Sequence, residues 1–276
     1  MYNKIARPFL KWAGGKRQLL PELEKLIPPY YNTYFEPFVG AGALLFHLQP
    51  LKAFISDTND ELINCYHVIK DNLNELLADL ERHKNKEEYY YKIRALDRDK
   101  EEFSKLSPIK RASRIIYLNK TCYNGLFRVN SQGQFNVPFG RYKNPKIVDE
   151  IVLKAVSEYL NNNNVIILND DFEKVLQRAK KGDLVYFDPP YDPISETANF
   201  TSYAMNGFGR EEQQRLKRVY AQLTSKGVNC LLSNSATDFI LDLYKEYEII
   251  SVSVSRSINS IPYKRGKAAE VIVKNW

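Results

Sequence analysis

The sequence predicts an α/β fold: an open, mostly parallel sheet that ends in an antiparallel hairpin and carries a mainly helical insert. Three features of the 276 residues point to it. Apolar runs of strand length alternate with stretches whose apolar residues recur at helical spacing, the order that builds β-α-β units. The first such run breaks at Gly40 and Gly42 and resumes as a helix former, a strand, turn, helix unit. The last two runs are alternating or β-branched and flank a basic Pro/Gly loop, which is the pattern of a hairpin.

Taken in order, Thr33 to Phe38 reads as the first strand and Ala43 to Leu48 as the helix after the glycine turn. Lys52 to Ser56 reads as a second buried strand ending at Asp57, an acid near the separation from Gly40 seen in nucleotide-binding units. Thr58 and Glu61 have the spacing of a capping box. Leu62, Tyr66, Ile69, Leu73, Leu76, Leu77 and Leu80 then recur with helical period, so one long helix is expected to leave the sheet. Ser107 and Pro108 read as the cap and first residue of another helix, with Ile109, Ala112, Ile115 and Ile116 inward. From Asn119 to Pro145 the pattern dissolves into a loop rich in Gly, Asn, Pro and aromatics. After the polar run Asn161 to Asn164, strands return at Val165 to Leu168, Leu184 to Phe187 and Val228 to Leu232, and Glu248 to Val254 with Ala269 to Val273 form the hairpin.

Composition narrows the function. With 44% hydrophobic and 26% charged residues, the chain has the profile of a globular protein with a full core. No apolar stretch approaches the roughly 18 residues of a membrane span, and Met1 to Arg7 lacks the apolar centre of a secretory signal, so a cytoplasmic protein with no membrane partner is expected. Cys65, Cys122 and Cys230 show no metal-binding spacing and read as free thiols. His47, His67 and His83 read as core or surface residues, so neither a metal site nor a histidine mechanism is expected. The net charge of +7 fits a partner with a phosphate backbone, although ordinary enzymes share such an excess.

The strongest local signal is Asp188-Pro189-Pro190-Tyr191, directly after the apolar strand at Leu184 to Phe187. It lies at the carboxyl end of a strand, where open α/β sheets present ligands. Two prolines fix an extended chain without backbone donors, leaving carbonyls free to point into a pocket. Asp188 and the Pro189 carbonyl suit the two hydrogens of an aromatic amino group, and Tyr191 offers a flat face. The plainer reading is a rigid turn. A second signal, Phe35-Glu36-Pro37-Phe38-Val39-Gly40-Ala41-Gly42, runs from a strand into a turn whose glycines allow close approach of a ligand, with Asp57 placed to accept from ribose hydroxyls or to cap a helix. A third, Lys11-Trp12-Ala13-Gly14-Gly15-Lys16, is not a phosphate loop, because Arg17 stands where such loops carry Ser or Thr.

With Tyr123-Asn124-Gly125-Leu126-Phe127-Arg128 and Phe135-Asn136-Val137-Pro138-Phe139-Gly140-Arg141-Tyr142 between them, these motifs follow one another as in the Dam/DpnII-type, alpha-group DNA adenine methyltransferases, which the chain resembles over roughly residues 8 to 273. The resemblance implies an S-adenosylmethionine-dependent enzyme with a Rossmann-like methyltransferase sheet, a terminal antiparallel hairpin and a mainly helical target-recognition insert. It places the catalytic domain at residues 1–59 and 146–276 and the insert at residues 60–145. It implies that Asp188, Pro189, Pro190 and Tyr191 form the catalytic motif. Trp12, Lys16, Phe38, Gly40, Gly42, Asp57, Asp171, Phe172 and Asp188 are implied to contact S-adenosyl-L-methionine, which leaves as S-adenosyl-L-homocysteine.

For double-stranded DNA, the resemblance implies that Tyr123 and Asn124 probe the space beside a flipped adenine. Leu126 and Pro138 touch a thymine methyl, Arg128 and Lys11 each read a guanine, and Tyr142 lies near the duplex, with GATC as the expected site. Guanidinium pairs bidentately with guanine and apolar groups suit the thymine methyl, which agrees with those roles. The segment from Ser195 to Phe208 matches the family's stretch after D-P-P-Y and is expected to close over the base. Arg256, Lys264, Arg265 and Lys267 form a basic loop suited to phosphates. A monomer without metal, working at the nucleoid, is expected. The rivals are methylation of RNA or of another amino group, since D-P-P-Y also occurs in ribosomal RNA methyltransferases, and a nucleic-acid-binding relative without catalysis.

Overall fold

The structure, a computed structural model, describes residues 3–12, 14, 16, 18–194, 208–255 and 267–276, without the side chains of residues 254, 255, 267 and 268. The expected closing segment 195–207, residues Ala13, Gly15 and Arg17 of the N-terminal motif, and Arg256, Lys264 and Arg265 with the Lys267 side chain lie outside the described residues. The chain folds as two compact units, one of Met1–Gly15, Val39–Leu51 and Asp57–Asn169, the other of Lys16–Phe38, Lys52–Ser56 and Asp170–Trp276.

In the unit that ends at Trp276, strands β1 (Tyr34–Glu36), β2 (Lys52–Ser56), β4 (Leu184–Phe187), β5 (Asn229–Ser235), β6 (Glu248–Ser255) and β7 (Lys267–Lys274) run in the order β2-β1-β4-β5-β7-β6. The first four are parallel, with Tyr34 opposite both Ala53 and Leu184, and Phe187 opposite Leu232. β7 then pairs antiparallel with both β5 and β6, so the expected hairpin is present and its second strand lies inside the first. Every residue of β4 is buried, the continuous apolar run of a strand covered on both faces. Helices α1 (Leu20–Leu26), α9 (Phe172–Leu176), α10 (Arg210–Ser225) and α11 (Asp238–Leu243) accompany this sheet. Strand order switches direction between β1 and β4, and ligands of open sheets bind outside the carboxyl ends of strands at such a point. Phe38 and Asp188 follow these two ends.

β1 is shorter than the expected Thr33 to Phe38, because Pro37 has no N–H for a ladder and ends the strand at Glu36. In the other unit, the helix after the glycine turn is α2 (Ala43–Leu48), as expected. The cap of α3 (Asp60–Asp71) is Asn59, whose side chain accepts from the Leu62 N–H, and not Thr58. The single long helix expected from Thr58 to Leu80 is two: Asn72 leaves helical dihedrals, at φ −135° and ψ 39°, and α4 (Leu73–Leu80) starts afresh. The apolar period continues across that break, which is why the sequence conceals it.

Helices α5 (Glu87–Ala95) and α6 (Lys100–Ser104) follow, and α7 (Pro108–Thr121) packs against α3, α4 and α5. Ser107 caps α7 by accepting from the Lys110 N–H, and Ala112, Ile115 and Ile116 are buried as expected, with Ile109 only partly so. His83 stacks on Tyr117 with ring centroids 4.3 Å apart and meets Tyr89 and Ser113 through its two nitrogens, a packed core histidine. α7 runs three residues into the stretch expected to be loop, and bridges Cys122–Phe139 and Val129–Phe135 then fold that stretch back on itself. Helix α8 (Glu150–Asn162) leads to β3 (Asn164–Leu168), the strand expected there, whose Ile166 side chain is exposed. Cys65, Cys122 and Cys230 are free and buried.

Candidate active site and nucleic-acid interface

Strand β4 delivers Asp188 to the sheet's carboxyl edge, where a fixed set of partners meets it. Lys16 Nζ lies 2.9 Å from Asp188 Oδ1, with Lys16 buried and the Asp188 side chain 20% exposed. Ser233 on β5 donates to the same oxygen at 3.1 Å, and Tyr186 meets Ser233 at 3.0 Å. Burial pushes the Asp188 carboxyl above its ordinary range, and Lys16 and Ser233 pull it back only in part. The Lys16 ammonium also sits 4.4 Å from the centre of the Tyr191 ring, whose hydroxyl donates to Glu270 on β7. Tyr191 is thereby held at both its face and its tip.

The prolines are equally constrained. Gln213 of α10 donates to the Pro190 carbonyl at 2.8 Å, and Asn234 on β5 donates to Gln213 while accepting from the Asp192 N–H. Thr237 donates to the Asp192 carboxylate at 2.7 Å and Ser235 to its carbonyl. The run Ser233-Asn234-Ser235 therefore clamps the whole D-P-P-Y corner. Sequence reading did not single it out, because a polar run at the end of a strand looks like solvent-facing turn; all three residues are buried.

Beside the end of β1, Phe38 and Phe172 pack with ring centroids 5.3 Å apart, and Phe208 meets Phe38 edge-on at 5.5 Å. Asp171 caps α9 by accepting from the Glu173 N–H and pairs through both oxygens with Arg215, at 2.7 and 3.0 Å. Burial favours a neutral carboxyl there, but the Arg215 guanidinium outweighs it and holds Asp171 below the ordinary range. Arg215 also stacks on Phe172 at 4.2 Å. Asp171 thus anchors Phe172, which is buried under Phe38, Phe208 and Arg215.

In the other unit, the expected glycine turn is held by the acid the sequence placed with it. Asp57 accepts from the Gly40 N–H through Oδ2 at 3.1 Å and from the Asn59 N–H through Oδ1 at 2.9 Å. With Asn59 capping α3, Asp57 holds the turn through one N–H on each oxygen, and each oxygen keeps a second lone pair. Burial raises its carboxyl above the ordinary range, and those N–H bonds temper the shift. Gly40 has φ +49° and a Cβ there would lie 3.0 Å from Trp12 Cδ1; Gly42 has φ +71° and a Cβ would lie 2.7 Å from the Tyr66 hydroxyl. That hydroxyl donates to the Gly40 carbonyl. Both glycines are demanded by crowding as well as by backbone conformation.

The same unit carries the expected DNA readers. Lys11, Tyr123, Asn124, Arg128 and Pro138 are exposed, while Leu126 and Tyr142 are half-buried. Asn124 takes φ +56° in the tight turn Tyr123–Gly125, and the Tyr123 N–H donates to the Pro138 carbonyl at 2.8 Å. Arg128 Nε donates to Asn136 Oδ1 at 2.8 Å, which orients the guanidinium. Beneath them lies an apolar cluster of Tyr90, Tyr117, Leu118, Cys122, Phe135 and Val137, against which Leu126 and Phe127 pack. Polar readers on a rigid apolar base suit recognition of base edges. Phe127, which sequence reading passed over, stacks on Trp12 at 4.5 Å.

Comparison with known proteins shows the family. Residues 12–258 match the D12 class N6 adenine-specific DNA methyltransferase family. The chain is 52% identical to the Type II methyltransferase M1.LlaDCHI of Lactococcus lactis subsp. cremoris, over 99% of this chain and 97% of that one. It is 42% identical to the Type II methyltransferase M.MjaIII of Methanocaldococcus jannaschii, over 98% and 99%. It is 35% identical to the DNA adenine methylase of Haemophilus influenzae, over 96% and 92%.

Proposed function

The chain belongs to the D12 class N6 adenine-specific DNA methyltransferases, and from that premise we propose that it takes its methyl group from S-adenosylmethionine and delivers it to a flipped adenine of duplex DNA at GATC. The observation that carries this reading is the Asp188 carboxylate, fixed between Lys16 and Ser233 at the end of β4 and still reachable from outside. An adenine amino group is a weak nucleophile because its lone pair is delocalised into the ring. Asp188 and the Pro189 carbonyl accept its two hydrogens, draw N6 toward tetrahedral geometry and aim the lone pair outward. Tyr191 stacks on the extruded base, a contact worth about 1–3 kcal/mol. The bond from the donor's sulfur to its methyl would break with its electrons left on a neutral thioether as N6 takes the methyl, and the surplus N6 proton would leave along its hydrogen bond to Asp188.

The residues fit that donor. Gly40 and Gly42 hold the turn at positive φ, packed against Trp12, Tyr66 and Phe46, and Asp57 beside it has the chemistry to accept from ribose hydroxyls. Phe38, with Phe172 packed on it and held in place by Asp171, offers an apolar face for a purine, and Trp12, Lys16 and Asp188 complete the donor contacts. Bound, the donor supplies a methyl made electrophilic by its sulfonium.

Residues 60–145 act as the target-recognition domain and residues 1–59 and 146–276 as the catalytic domain. Lys11 and Arg128 each read a guanine, Leu126 and Pro138 touch thymine methyls, Tyr123 and Asn124 fill the space beside the flipped base, and Tyr142 lines the duplex. The enzyme acts as a cytoplasmic monomer, and the Type II names of two relatives support a place in a restriction-modification pair. No described helix is long and apolar enough to cross a membrane.

The test is transfer of a labelled methyl from S-adenosylmethionine to GATC duplex, scrambled duplex and RNA. Label on the GATC duplex alone, reduced at least about a hundredfold by Asp188→Ala, supports the reading, on the scale of losing one aimed electrostatic contact. Equal labelling of RNA, or turnover indifferent to Asp188→Ala, overturns it.

A further inference from the structure

Lys11 and the Tyr123–Gly125 turn lie far apart in sequence, and one buried side chain joins them. Asn119, in the last turn of α7, is 1% exposed. Its Oδ1 accepts from the Lys11 N–H at 2.9 Å, and its Nδ2 donates to the Lys11 carbonyl at 2.8 Å and to the Gly125 carbonyl at 3.1 Å. Two carbonyls and one N–H around the amide leave it a single orientation. Other contacts tighten the join. The Lys11 stem lies so close over Gly125, which has φ +64°, that a Cβ on the glycine would overlap Lys11 Cδ. The Lys11 ammonium points over the Tyr142 ring at 6.0 Å, and the next residue, Trp12, stacks on Phe127, the neighbour of Arg128.

We propose that Asn119 is a specificity-positioning residue that locks Lys11 and the Arg128 loop into one reading body, so that the two guanines of the site are read in a fixed register. This rests on the assignment of Lys11 and Arg128 as guanine readers. Bidentate recognition of a base edge fails when the reader is displaced by about an ångström, and neither reader sits on a regular element of its own. Asn119 is buried away from the surface, yet it ties the backbone of one reader to the turn that leads into the other. Losing a reader should relax one guanine. Losing the lock should relax both.

The experiment measures kcat/KM for Lys11→Ala, Arg128→Ala, Asn119→Asp and Gly125→Ala on GATC duplex and on duplexes with one guanine pair replaced at a time. Asn119→Asp keeps the acceptor for the Lys11 N–H and loses both donors. Gly125→Ala displaces Lys11 without altering Asn119, and serves if the buried aspartate prevents folding. The expected result is that each reader variant loses about tenfold of discrimination at its own guanine, within the range of a bidentate pair. Asn119→Asp and Gly125→Ala lose a similar factor at both, with KM for S-adenosylmethionine unchanged. If the reader variants relax their guanines while Asn119→Asp and Gly125→Ala keep both preferences and merely lower activity on every duplex, the lock is wrong and the readers stand. If the reader variants themselves leave base preference untouched, the assignment of readers fails and the lock falls with it.

Discussion

Replacing Lys16 by Met removes a charge and keeps most of the stem, so it isolates what the ammonium does for Asp188. The pair is close, at 2.9 Å, with Lys16 only 7% exposed. A charge-assisted hydrogen bond of this kind contributes about 1.5–3 kcal/mol, and one pH unit of differential protonation corresponds to about 1.4 kcal/mol. Without Lys16 the Asp188 carboxyl should therefore move further above a range that burial has already raised. The proposed mechanism requires the ionised form as acceptor, so activity should fall as pH drops through the folded-state value. The acid limb of kcat at saturating donor and DNA should accordingly shift to higher pH, while Lys16→Arg leaves it near its original place. Stability moves with the opposite sense of pH. A carboxyl raised in the folded state binds its proton more tightly than in the unfolded chain, so its contribution is greatest at low pH and is lost as pH rises through the folded value. Lys16→Met should then be least stable, relative to the parent chain, at neutral and higher pH. An acid limb that stays in place in Lys16→Met refutes the claim that Lys16 sets the protonation of the catalytic acceptor.

Asp57→Asn keeps one acceptor where two N–H groups need it, so one is left facing an amide –NH2, at a cost of about 1–3 kcal/mol; calorimetry should show weaker S-adenosylmethionine binding and a lower unfolding midpoint, and unchanged donor affinity removes Asp57 from the donor site. Gly42→Ala combines left-handed strain with overlap of the Tyr66 hydroxyl and Phe46, and should lower stability by roughly 2–4 kcal/mol in denaturant titration; a wild-type midpoint would mean the turn yields freely. Arg128→Ala should relax one guanine by about 1–3 kcal/mol of discrimination. If activity instead drops alike on all duplexes, with a shallower salt dependence, Arg128 is a phosphate clamp.

What the sequence made legible follows from chemistry that is local. Asp188 to Tyr191 sits directly after a strand, so its placement at the sheet edge needs only the apolar run before it. Gly40, Gly42 and Asp57 were likewise readable, because positive φ and a carboxylate at a strand end are properties of neighbouring residues. What stayed hidden is held by distant partners. Ser233, Asn234 and Glu270 reach the D-P-P-Y corner only through the pairing of β4 with β5 and of β5 with β7, a register that no local pattern states. Asn119 looks like the end of a helix until Lys11, more than a hundred residues earlier, comes to lie against it. The break at Asn72 was invisible for the opposite reason: the apolar period runs across it undisturbed.

The central claim, methylation of adenine N6 at GATC with S-adenosylmethionine as donor, is tested most directly by incubating random-sequence duplex with the purified chain and the donor and reading modified bases by single-molecule sequencing, with mass spectrometry of the digested nucleosides. The account predicts N6-methyladenine confined to GATC on both strands, absent from the Asp188→Ala reaction. Methyl groups on another base, N6-methyladenine spread without regard to flanking guanines, or equal modification by the Asp188→Ala chain would contradict it.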